Sequence, residues 1–495
     1  MVTSLRRSRL EFLQVLLLTI LGFAVMGYHP GLEDDGVYLT AIKADLNPSL
    51  YPHDQNFFEL QLQATLFDGT MARGITLTGI PVAWAELLVQ FGSIFLILWS
   101  CLQIAKHLFA DATARWAGVA FTSAMMTLPV AGTALCLVDQ HLHPRNVATA
   151  LILFAVSRIL AEKRWQAVPL LLLAFAFHPI MAAMGISFCF FLTFVTTNAL
   201  VKLVGSFRGS AAALVPLGWL FESPTPVWHR ALETRSYFFL SRWSWYELLG
   251  AFAPLFLFGL LGYIARRQGK TKLAQFAVAV FAYGVFQQAV AIVILTSPAL
   301  IRLTPLQPMR FLHLIYFFLT LVAGCMIGQY ILRDSAWRWA LFLLLTNGSM
   351  FASQRALYSS SEHLEVPGRQ TSNPWVQSFA WIRQNTPTSA YFAMDPNYLA
   401  APGEDYHSFR ALAERSQLAD AIKDTSVVTQ VPELGPVWQR QVDAAHGWNT
   451  FQLNDFERLK SDFGVDWVLV SHPPPAGLDC KWHNNTVSVC QIPAN

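Results

Sequence analysis

A chain of 495 residues could hold several soluble domains, but 54% of its residues are hydrophobic and only 13% are charged. A soluble domain usually carries about 25% charged residues. The net charge of +3 is also too small to indicate a nucleic-acid partner. The composition therefore excludes an ordinary soluble enzyme and predicts an α-helical protein that crosses a membrane several times.

Eleven apolar segments approach the length of about 20 residues that spans a bilayer. They cover residues 12–28, 79–104, 114–131, 146–161, 166–178, 180–201, 210–221, 246–265, 273–296, 310–332 and 337–353. We therefore predict an all-α membrane domain of about 11 transmembrane helices over residues 1–353. The segments 166–178 and 210–221 are short, and tilted, re-entrant or interfacial helices are alternatives for them.

Lysine and arginine in short loops predict the orientation of the chain, because such loops stay on the cytoplasmic side. With an odd number of crossings, all the basic clusters fall on one side. They are Arg6, Arg7 and Arg9; Lys106 and Arg115; Lys163 and Arg164; Lys202 and Arg208; Arg266, Arg267, Lys270 and Lys272; and Arg333 and Arg338. We expect an integral protein of the bacterial inner membrane, with a cytoplasmic amino terminus and an extracytoplasmic carboxy-terminal domain.

The tail, residues 354–495, is more polar and predicts a small α/β domain. Asn373-Pro374 is a helix-start signal, because Asn caps a helix well and proline suits its first turn. Further helices are predicted at 408–422, 433–445 and 454–462, strands at 391–394 and 465–470, and a terminal hairpin at 487–492. Cys480 and Cys490 are spaced for a disulfide across a hairpin, which requires an oxidising compartment.

The first predicted external loop, residues 28–78, carries three consecutive acidic residues, Glu33, Asp34 and Asp35. His53 and Asp54 follow in the same loop. Prolines and aromatic residues surround them and favour an ordered loop. A cluster of acids after a first helix can also be a solvated turn, so the cluster alone does not establish a site.

Other polar residues fall on the same predicted side. The run DQHLHPRN contains His141, His143 and Arg145, and the region around the tenth crossing contains Arg302, Arg310 and His313. Two histidines in the pattern HxH are a weak metal signal. Arginine suits phosphate oxygens because its guanidinium is planar. No P-loop, GxGxxG or HExxH motif occurs, so a lipid-linked substrate fits better than a cytosolic nucleotide.

Two stretches carry a resemblance to a known group. The segment EDDGVY at Glu33–Tyr38 and the segment WVQSFAWIRQNTPTSAYFAMDP at 375–396, with the overall architecture, resemble the GT-C membrane glycosyltransferases. The resemblance implies a polyprenyl-phosphate-linked sugar as donor. It also implies a catalytic acid at Asp34 or Asp35, with Glu33 third. The WWDYG motif of oligosaccharyltransferases is absent, and MDPNYLAAPGEDYHSFR stands in the tail instead.

The leading hypothesis is transfer of a sugar from a polyprenyl-phosphate donor to an unknown acceptor on the extracytoplasmic face. Asp34 is the expected general base, and Arg302, Arg310 and Arg145 are the expected phosphate ligands. The other expected substrate-binding residues are His53, Asp54, His141, His143 and His313. A divalent metal ion is possible at His53 and Asp54. The alternatives are a transporter or lipid flippase, and a non-catalytic assembly subunit.

Overall fold

The computed structural model describes residues 2–197 and 224–493. A long helical part comes first, and a smaller domain of helices and strands follows it. The described helices of the first part are α1 (Val2–Met26), α2 (Asp35–Leu46), α3 (Asn56–Ala64), α4 (Phe67–Thr78), α5 (Val82–Leu108), α6 (Ala112–Ala124), α7 (Pro144–Leu160), α8 (Arg164–Phe177), α9 (Pro179–Thr196), α10 (Pro226–Glu233), α11 (Trp245–Arg267), α12 (Thr271–Thr296), α13 (Leu312–Ile327) and α14 (Ala336–Leu357).

Within the described residues, 6 helical segments are long and apolar enough to cross a membrane. They are Ser8–Met26, Val82–Leu108, Pro179–Thr196, Trp245–Arg267, Thr271–Thr296 and Pro308–Leu332. The protein is therefore a multi-pass membrane protein. The predicted total of about eleven crossings is not confirmed.

Each predicted crossing that is described but is not a candidate span has a physical reason for the difference. Helices α6, α7 and α8 have 13, 17 and 14 residues, fewer than the ~20 that cross a bilayer. Helix α14 has 22 residues, but Arg338, Asn347 and Gln354 make it less apolar. The predicted segment 210–221, with Lys202, Arg208 and Glu222, lies outside the described residues.

Aromatic packing holds together the helices that carry the later site. The ring of Phe188 in α9 lies 4.6 Å from that of Phe318 in α13 and 5.4 Å from that of Tyr283 in α12. All three side chains are buried or nearly so, and such aromatic pairs are worth about 0.5–1.5 kcal/mol each beyond the area they bury. Because α9 and α13 pack together, the residues just before them, His178 and Arg310, come to the same end of the bundle.

The C-terminal domain is a five-stranded sheet with helices around it. Its elements are α15 (Pro374–Asn385), α16 (Phe409–Ala413), α17 (Asp424–Gln430), α18 (Gly435–Ala444), α19 (Leu453–Phe463), β1 (Tyr391–Met394), β2 (Ser416–Gln417), β3 (Trp467–Ser471), β4 (Asp479–His483) and β5 (Val487–Gln491). The strand order is β2-β1-β3-β5-β4. The pairs β1–β2 and β1–β3 are parallel, whereas β3–β5 and β4–β5 are antiparallel.

Local signals in the tail predicted several of these elements. The side chain of Asn373 accepts hydrogen bonds from the amides of Trp375 and Val376 (2.9 and 3.1 Å), which confirms the predicted start of α15. A disulfide joins Cys480 in β4 to Cys490 in β5.

The helix predicted at 408–422 is wrong beyond Ala413. Glu414 adopts a left-handed conformation (φ 55°) and ends α16. The guanidinium of Arg415 is buried and donates to the carbonyl oxygens of Arg383 and Thr386 (2.9 and 2.6 Å). Ser416 and Gln417 then pair with β1. Pairing with a distant strand thus overrides the local helical pattern.

The 28–78 segment packs against the C-terminal domain. The ammonium group of Lys43 donates to the carbonyl oxygen of Ala411 and to the carboxylate of Glu414, both at 2.7 Å. The amide of Ser408 donates to the carbonyl oxygen of Gly31 (2.8 Å). These contacts bring the acidic residues at 33–35 to the junction between the helical part and the C-terminal domain.

Candidate functional site

A cavity of about 340 Å³ lies at this junction. The 28–78 segment, the helical part and the C-terminal domain all contribute to its wall. Its charged and polar lining consists mainly of Glu33, Asp34, Tyr38, His143, His178, Arg235, Tyr237, Arg310 and Lys423. Val37, Leu135 and Ile180 add an apolar wall. The cavity therefore combines a charged centre with an apolar side.

The backbone before α2 turns two of the three acids into this cavity. Glu33 has a φ of 49°, a left-handed value that is uncommon for residues other than glycine. Its amide donates to the carbonyl oxygen of Tyr406 (2.9 Å), so the C-terminal domain holds the turn in place. Asp35 is 1% exposed and points elsewhere, with its Oδ2 accepting from the amide of Gly31 (2.8 Å). Asp34 is thus the central carboxylate of the cavity.

Asp34 lies between a lysine and a histidine. Its Oδ1 accepts from Nζ of Lys423 at 3.2 Å, and its Oδ2 lies 3.5 Å from Nε2 of His143. Its side chain is 38% exposed, although protein surrounds the cavity it faces. Burial alone would raise the pKa of this carboxyl, but Lys423 and the contact with His143 outweigh burial and hold it well below its usual value. Asp34 is therefore ionised at neutral pH.

The tautomer of His143 follows from its position at the start of α7. Its Nδ1 accepts a hydrogen bond from the amide of Arg145 (2.9 Å), which caps the helix. The proton of the neutral ring must then lie on Nε2, which faces Asp34. Burial, reinforced by Arg145, lowers the pKa of His143 below its usual value. His143 is thus a neutral donor to Asp34 and not a competing base.

His178 has the same arrangement at the start of α9. Its Nδ1 accepts from the amide of Met181 (3.3 Å), so Nε2 carries the proton and lines the cavity. Burial lowers the pKa of His178 well below its usual value, and His143 and Arg310 lower it further. The rings of His143 and His178 are 5.8 Å apart. The cavity therefore contains two neutral N–H donors on neighbouring helix ends.

Arg310 is the cationic group on the side of the helical bundle. Its Nε donates to the side-chain oxygen of Gln307 at 2.6 Å. No other hydrogen-bond partner of its guanidinium occurs among residues 2–197 and 224–493. Arg310 lies near the start of the candidate span Pro308–Leu332, and His178 directly precedes the span Pro179–Thr196. The cavity is therefore at the edge of the membrane.

Arg145 stands behind the cavity and does not line it. Its guanidinium donates to both carboxylate oxygens of Asp139, from Nε at 3.0 Å and from Nη2 at 2.5 Å. Burial opposes ionisation of Asp139, but Arg145 lowers the pKa of that carboxyl far below its usual value. This ion pair orders the loop that carries His143. The structure therefore places Arg145 as a support for the site.

His141 and His313 also lie behind the cavity wall. Burial lowers the pKa of His141 to about 4, and neither ring nitrogen has a hydrogen-bond partner among the described residues. His313 is fully buried, and its Nε2 donates to the carbonyl oxygen of Leu137 (2.9 Å). Neither residue faces the space that a substrate could occupy.

Three further predicted residues lie away from the cavity. The ring of His53 stacks on Tyr391 with centroids 4.5 Å apart. Asp54 is buried and accepts from Arg410 and from the amide of Gln417. Arg302 lies 5.8 Å from the ring centroid of Trp228. His53 and Asp54 therefore fasten the 28–78 segment to the C-terminal domain.

Two further cations at the cavity, Arg235 and Lys423, are not among the predicted site residues. Lys423 precedes α17, and 389 positions separate it from Asp34. Arg235 donates to the carbonyl oxygens of Ile422 and, at 3.3 Å, of Lys423, so it holds the backbone that presents Lys423. Only the fold brings these residues together, and no local motif marks either of them.

The residues at the cavity do not fit a divalent metal ion. In the described part of the chain, no group of three or more His, Cys, Asp or Glu side chains could hold one. The ammonium of Lys423 lies 3.0 Å from Glu33 Oε2 and 3.2 Å from Asp34 Oδ1. It occupies the space between the two carboxylates where a cation would sit. His53 and Asp54 are likewise engaged in other contacts.

The fold and the site thus define a multi-pass helical membrane protein whose C-terminal sheet domain completes a charged cavity at the membrane edge. No protein-family model matches the chain, and no curated protein matches it.

Among solved structures, the chain is similar to the oligosaccharyltransferase of Archaeoglobus fulgidus, described as a complex with Zn and sulfate. The identity is 12% over 92% of this chain and 68% of that chain, with a TM-score of 0.38. The apo form gives 15% identity over 93% of this chain and 57% of that one, with a TM-score of 0.23. The archaeal oligosaccharyltransferase AglB from Archaeoglobus fulgidus, in complex with an inhibitory peptide and a dolichol-phosphate, gives 14% identity over 93% of this chain and 57% of that one, with a TM-score of 0.19.

Proposed function

We propose that this protein is a membrane glycosyltransferase that moves a sugar from a polyprenyl-phosphate donor to an acceptor hydroxyl. One observation carries the proposal: an ionised carboxylate, Asp34, and a guanidinium, Arg310, line one cavity at the membrane edge. Glycosyl transfer needs a group that takes a proton from the acceptor and a group that stabilises the departing phosphate. A lipid-linked donor would present its phosphate at this depth.

Asp34 is the proposed general base. It accepts the proton of the acceptor hydroxyl while the acceptor oxygen bonds to the anomeric carbon of the sugar. The bond between that carbon and the phosphate oxygen breaks, and the electron pair leaves with the polyprenyl phosphate. His143 Nε2–H holds the second carboxylate oxygen. A positioned base of this kind contributes about 10²–10⁴ in rate.

Arg310 is the proposed ligand of the phosphate. Its Nε is committed to Gln307, which leaves the terminal N–H groups to form two parallel bonds with phosphate oxygens. His178 Nε2–H adds a neutral donor on the adjacent helix end. Preorganised donors aimed at developing charge commonly lower the activation barrier more than any other single effect in an enzyme.

The charge of the cavity suits a donor with one negative charge. Arg235, Arg310 and Lys423 supply three positive charges, Glu33 and Asp34 supply two negative ones, and the histidines are neutral. The balance is one positive charge. A sugar linked to a lipid through one phosphodiester group carries one negative charge, so its binding leaves the cavity neutral.

We further propose that the cavity and the C-terminal domain face the extracytoplasmic side. The disulfide between Cys480 and Cys490 supports this orientation, because disulfides persist in oxidising compartments. The basic loop Arg266–Lys272 lies at the other end of the helices, as the distribution of lysine and arginine requires. Labelling single cysteines from outside intact cells, placed at exposed Asp479 and exposed Arg164, would establish the topology.

The test of the proposed activity uses purified full-length protein in lipid vesicles with a panel of polyprenyl-phosphate sugars. Release of free polyprenyl phosphate that depends on an acceptor supports glycosyl transfer. Movement of the lipid between leaflets without cleavage of the phosphate–sugar bond would identify a flippase instead. Binding of a partner protein with neither activity would identify an assembly subunit.

A further inference from the structure

A second cavity, of about 280 Å³, lies far from Asp34. The end of α11, the start of α12 and the helical turn after α13 enclose it. Its apolar lining, called the floor below, consists of Leu261, Ile264, Ala265, Leu273 and Met326. Gln268, Lys270 and Tyr330 complete the wall.

This cavity lies at the opposite face of the membrane from the candidate active site. Arg310 and Tyr330 stand near the two ends of the candidate span Pro308–Leu332, and Tyr330 lines the second cavity. Twenty helical residues rise about 30 Å, which is the thickness of the hydrocarbon core. A molecule in the second cavity therefore cannot be the substrate bound beside Asp34.

The loop between α11 and α12, which supplies Lys270 to the lining and is called the rim below, is strongly cationic. Arg266, Arg267, Lys270 and Lys272 fall within seven positions, and no acidic residue occurs between Glu247 and Asp334. The ion pairs among residues 2–197 and 224–493 include none of these four cations. No described carboxylate therefore neutralises the charge of the rim.

Lys270 is the cation that lines the cavity. Its Nζ donates to the hydroxyl of Tyr330 at 3.1 Å and lies 5.7 Å from the centroid of that ring. An ammonium group has three protons, so two remain for another acceptor. Tyr330 thus holds Lys270 beside the apolar floor, and two N–H groups of its ammonium can donate to a ligand.

We propose that this cavity binds an anionic phospholipid. An acyl chain would cover the apolar floor, and the lipid phosphate would accept from Lys270 and the neighbouring arginines. An apolar floor with a basic rim at the membrane surface matches this occupant in both chemistry and position. A zwitterionic phospholipid fits less well, because its own ammonium group would lie against the unneutralised cations.

The experiment is native mass spectrometry of the full-length protein, titrated with phosphatidylglycerol and, separately, with phosphatidylcholine. We expect one phosphatidylglycerol molecule to be retained at concentrations at which phosphatidylcholine is lost. Lys270→Gln should weaken retention about fivefold, since one cation at a membrane surface has about that effect. Gln can still donate to the hydroxyl of Tyr330, so the fold should persist.

Two more variants distinguish a lipid that is bound in the second cavity from a lipid that is attracted non-specifically by the positive charge of the rim. Ile264→Trp fills the floor without changing the charge, and should weaken retention to a similar extent. Arg164→Gln removes an exposed arginine of a different loop, and should leave retention unchanged. Equal retention of both lipids, undiminished retention by Ile264→Trp, or displacement by glycerol 3-phosphate at matched concentration would each overturn the proposal.

Discussion

Replacing Asp34 by Asn tests the proposed base with the smallest change in shape. The amide oxygen of Asn can still accept from His143 Nε2–H, and Lys423 keeps Glu33 as a partner at 3.0 Å. The side chain is also 38% exposed to the cavity. Because partly exposed ion pairs are worth at most about 1 kcal/mol, we expect the folded protein to remain stable.

The effect on catalysis should be much larger than the effect on stability. An amide cannot accept the proton of the acceptor hydroxyl, so the contribution of the base is lost completely. Loss of a factor of about 10²–10⁴ corresponds to about 3–5 kcal/mol of transition-state stabilisation. Binding of the donor should not weaken, because Arg310 and His178 remain in place and Lys423 loses one of the two carboxylates that compete with the donor phosphate.

The measurement is the rate of polyprenyl phosphate release, together with the amount of monodisperse protein after extraction. Asp45→Asn is the matched control, because Asp45 is an exposed carboxylate on the same helix, α2. The control should retain full activity. Transfer by Asp34→Asn within a factor of about three of the unmodified protein would refute the role of Asp34 as base.

Three other changes have defined outcomes. Arg310→Gln should raise the KM for the donor about tenfold or more, since a bond to a charged group is worth about 1.5–3 kcal/mol. Lys423→Met should raise the pKa of Asp34, so the acid limb of the pH–rate profile moves to higher pH. Glu365→Gln should destabilise the protein by about 3 kcal/mol or more, because it removes the charge that pairs with buried His407 and the carboxylate that contacts His29 of the helical part.

The stabilisation that Glu365 and His407 provide, which Glu365→Gln tests, should also depend on pH. Burial would lower the pKa of His407, but Glu365, with a smaller contribution from Glu404, raises it to about 10. Burial would raise the pKa of Glu365, but His407 lowers it to about 2. Stabilisation by His407 is complete below its ordinary pKa of about 6.5, and is lost as the pH rises towards 10. Stabilisation by Glu365 is complete above about 4.5, and is lost as the pH falls towards 2. Thermal unfolding across this range should show both limbs. Glu365→Gln should remove the acid limb and weaken the alkaline limb, because Glu404 still faces His407.

Each of the three changes has a matched control on an exposed residue of the same type. The controls are Arg242→Gln, Lys481→Met and Glu433→Gln. An unchanged KM in Arg310→Gln, or an unshifted acid limb in Lys423→Met, would contradict the proposed roles. An unfolding temperature of Glu365→Gln equal to that of its control would contradict the proposed stabilisation by Glu365.

Local sequence signals predicted the elements that local interactions determine. Asn373 caps α15 through its own side chain, and Cys480 and Cys490 lie opposite each other in a hairpin. The helix predicted beyond Ala413 is wrong, because β2 forms only through pairing with β1. No local pattern reveals a partner strand that lies elsewhere in the chain.

The same limit applies to the candidate site. The sequence places Asp34 and Asp54 together in one polar segment and predicts that both belong to the site. The fold places Asp34 in the cavity and buries Asp54 against Arg410. Composition and spacing do not distinguish a carboxylate that meets solvent in a cleft from one that meets a buried guanidinium. The sequence does not reveal the role of Lys423, because its partner Asp34 is 389 positions away.

The ion pair between Lys423 and Asp34 sets a condition on the proposed reaction. A carboxylate whose pKa is held far below its usual value is a weak proton acceptor, so Asp34 is a poor base while Lys423 is bound to it. The phosphate of the donor brings a negative charge into the same cavity and competes for Lys423. If the ammonium group moves towards the phosphate, the pKa of Asp34 rises when the donor is present. The C-terminal domain, which carries Lys423, would then couple arrival of the donor to activation of the base.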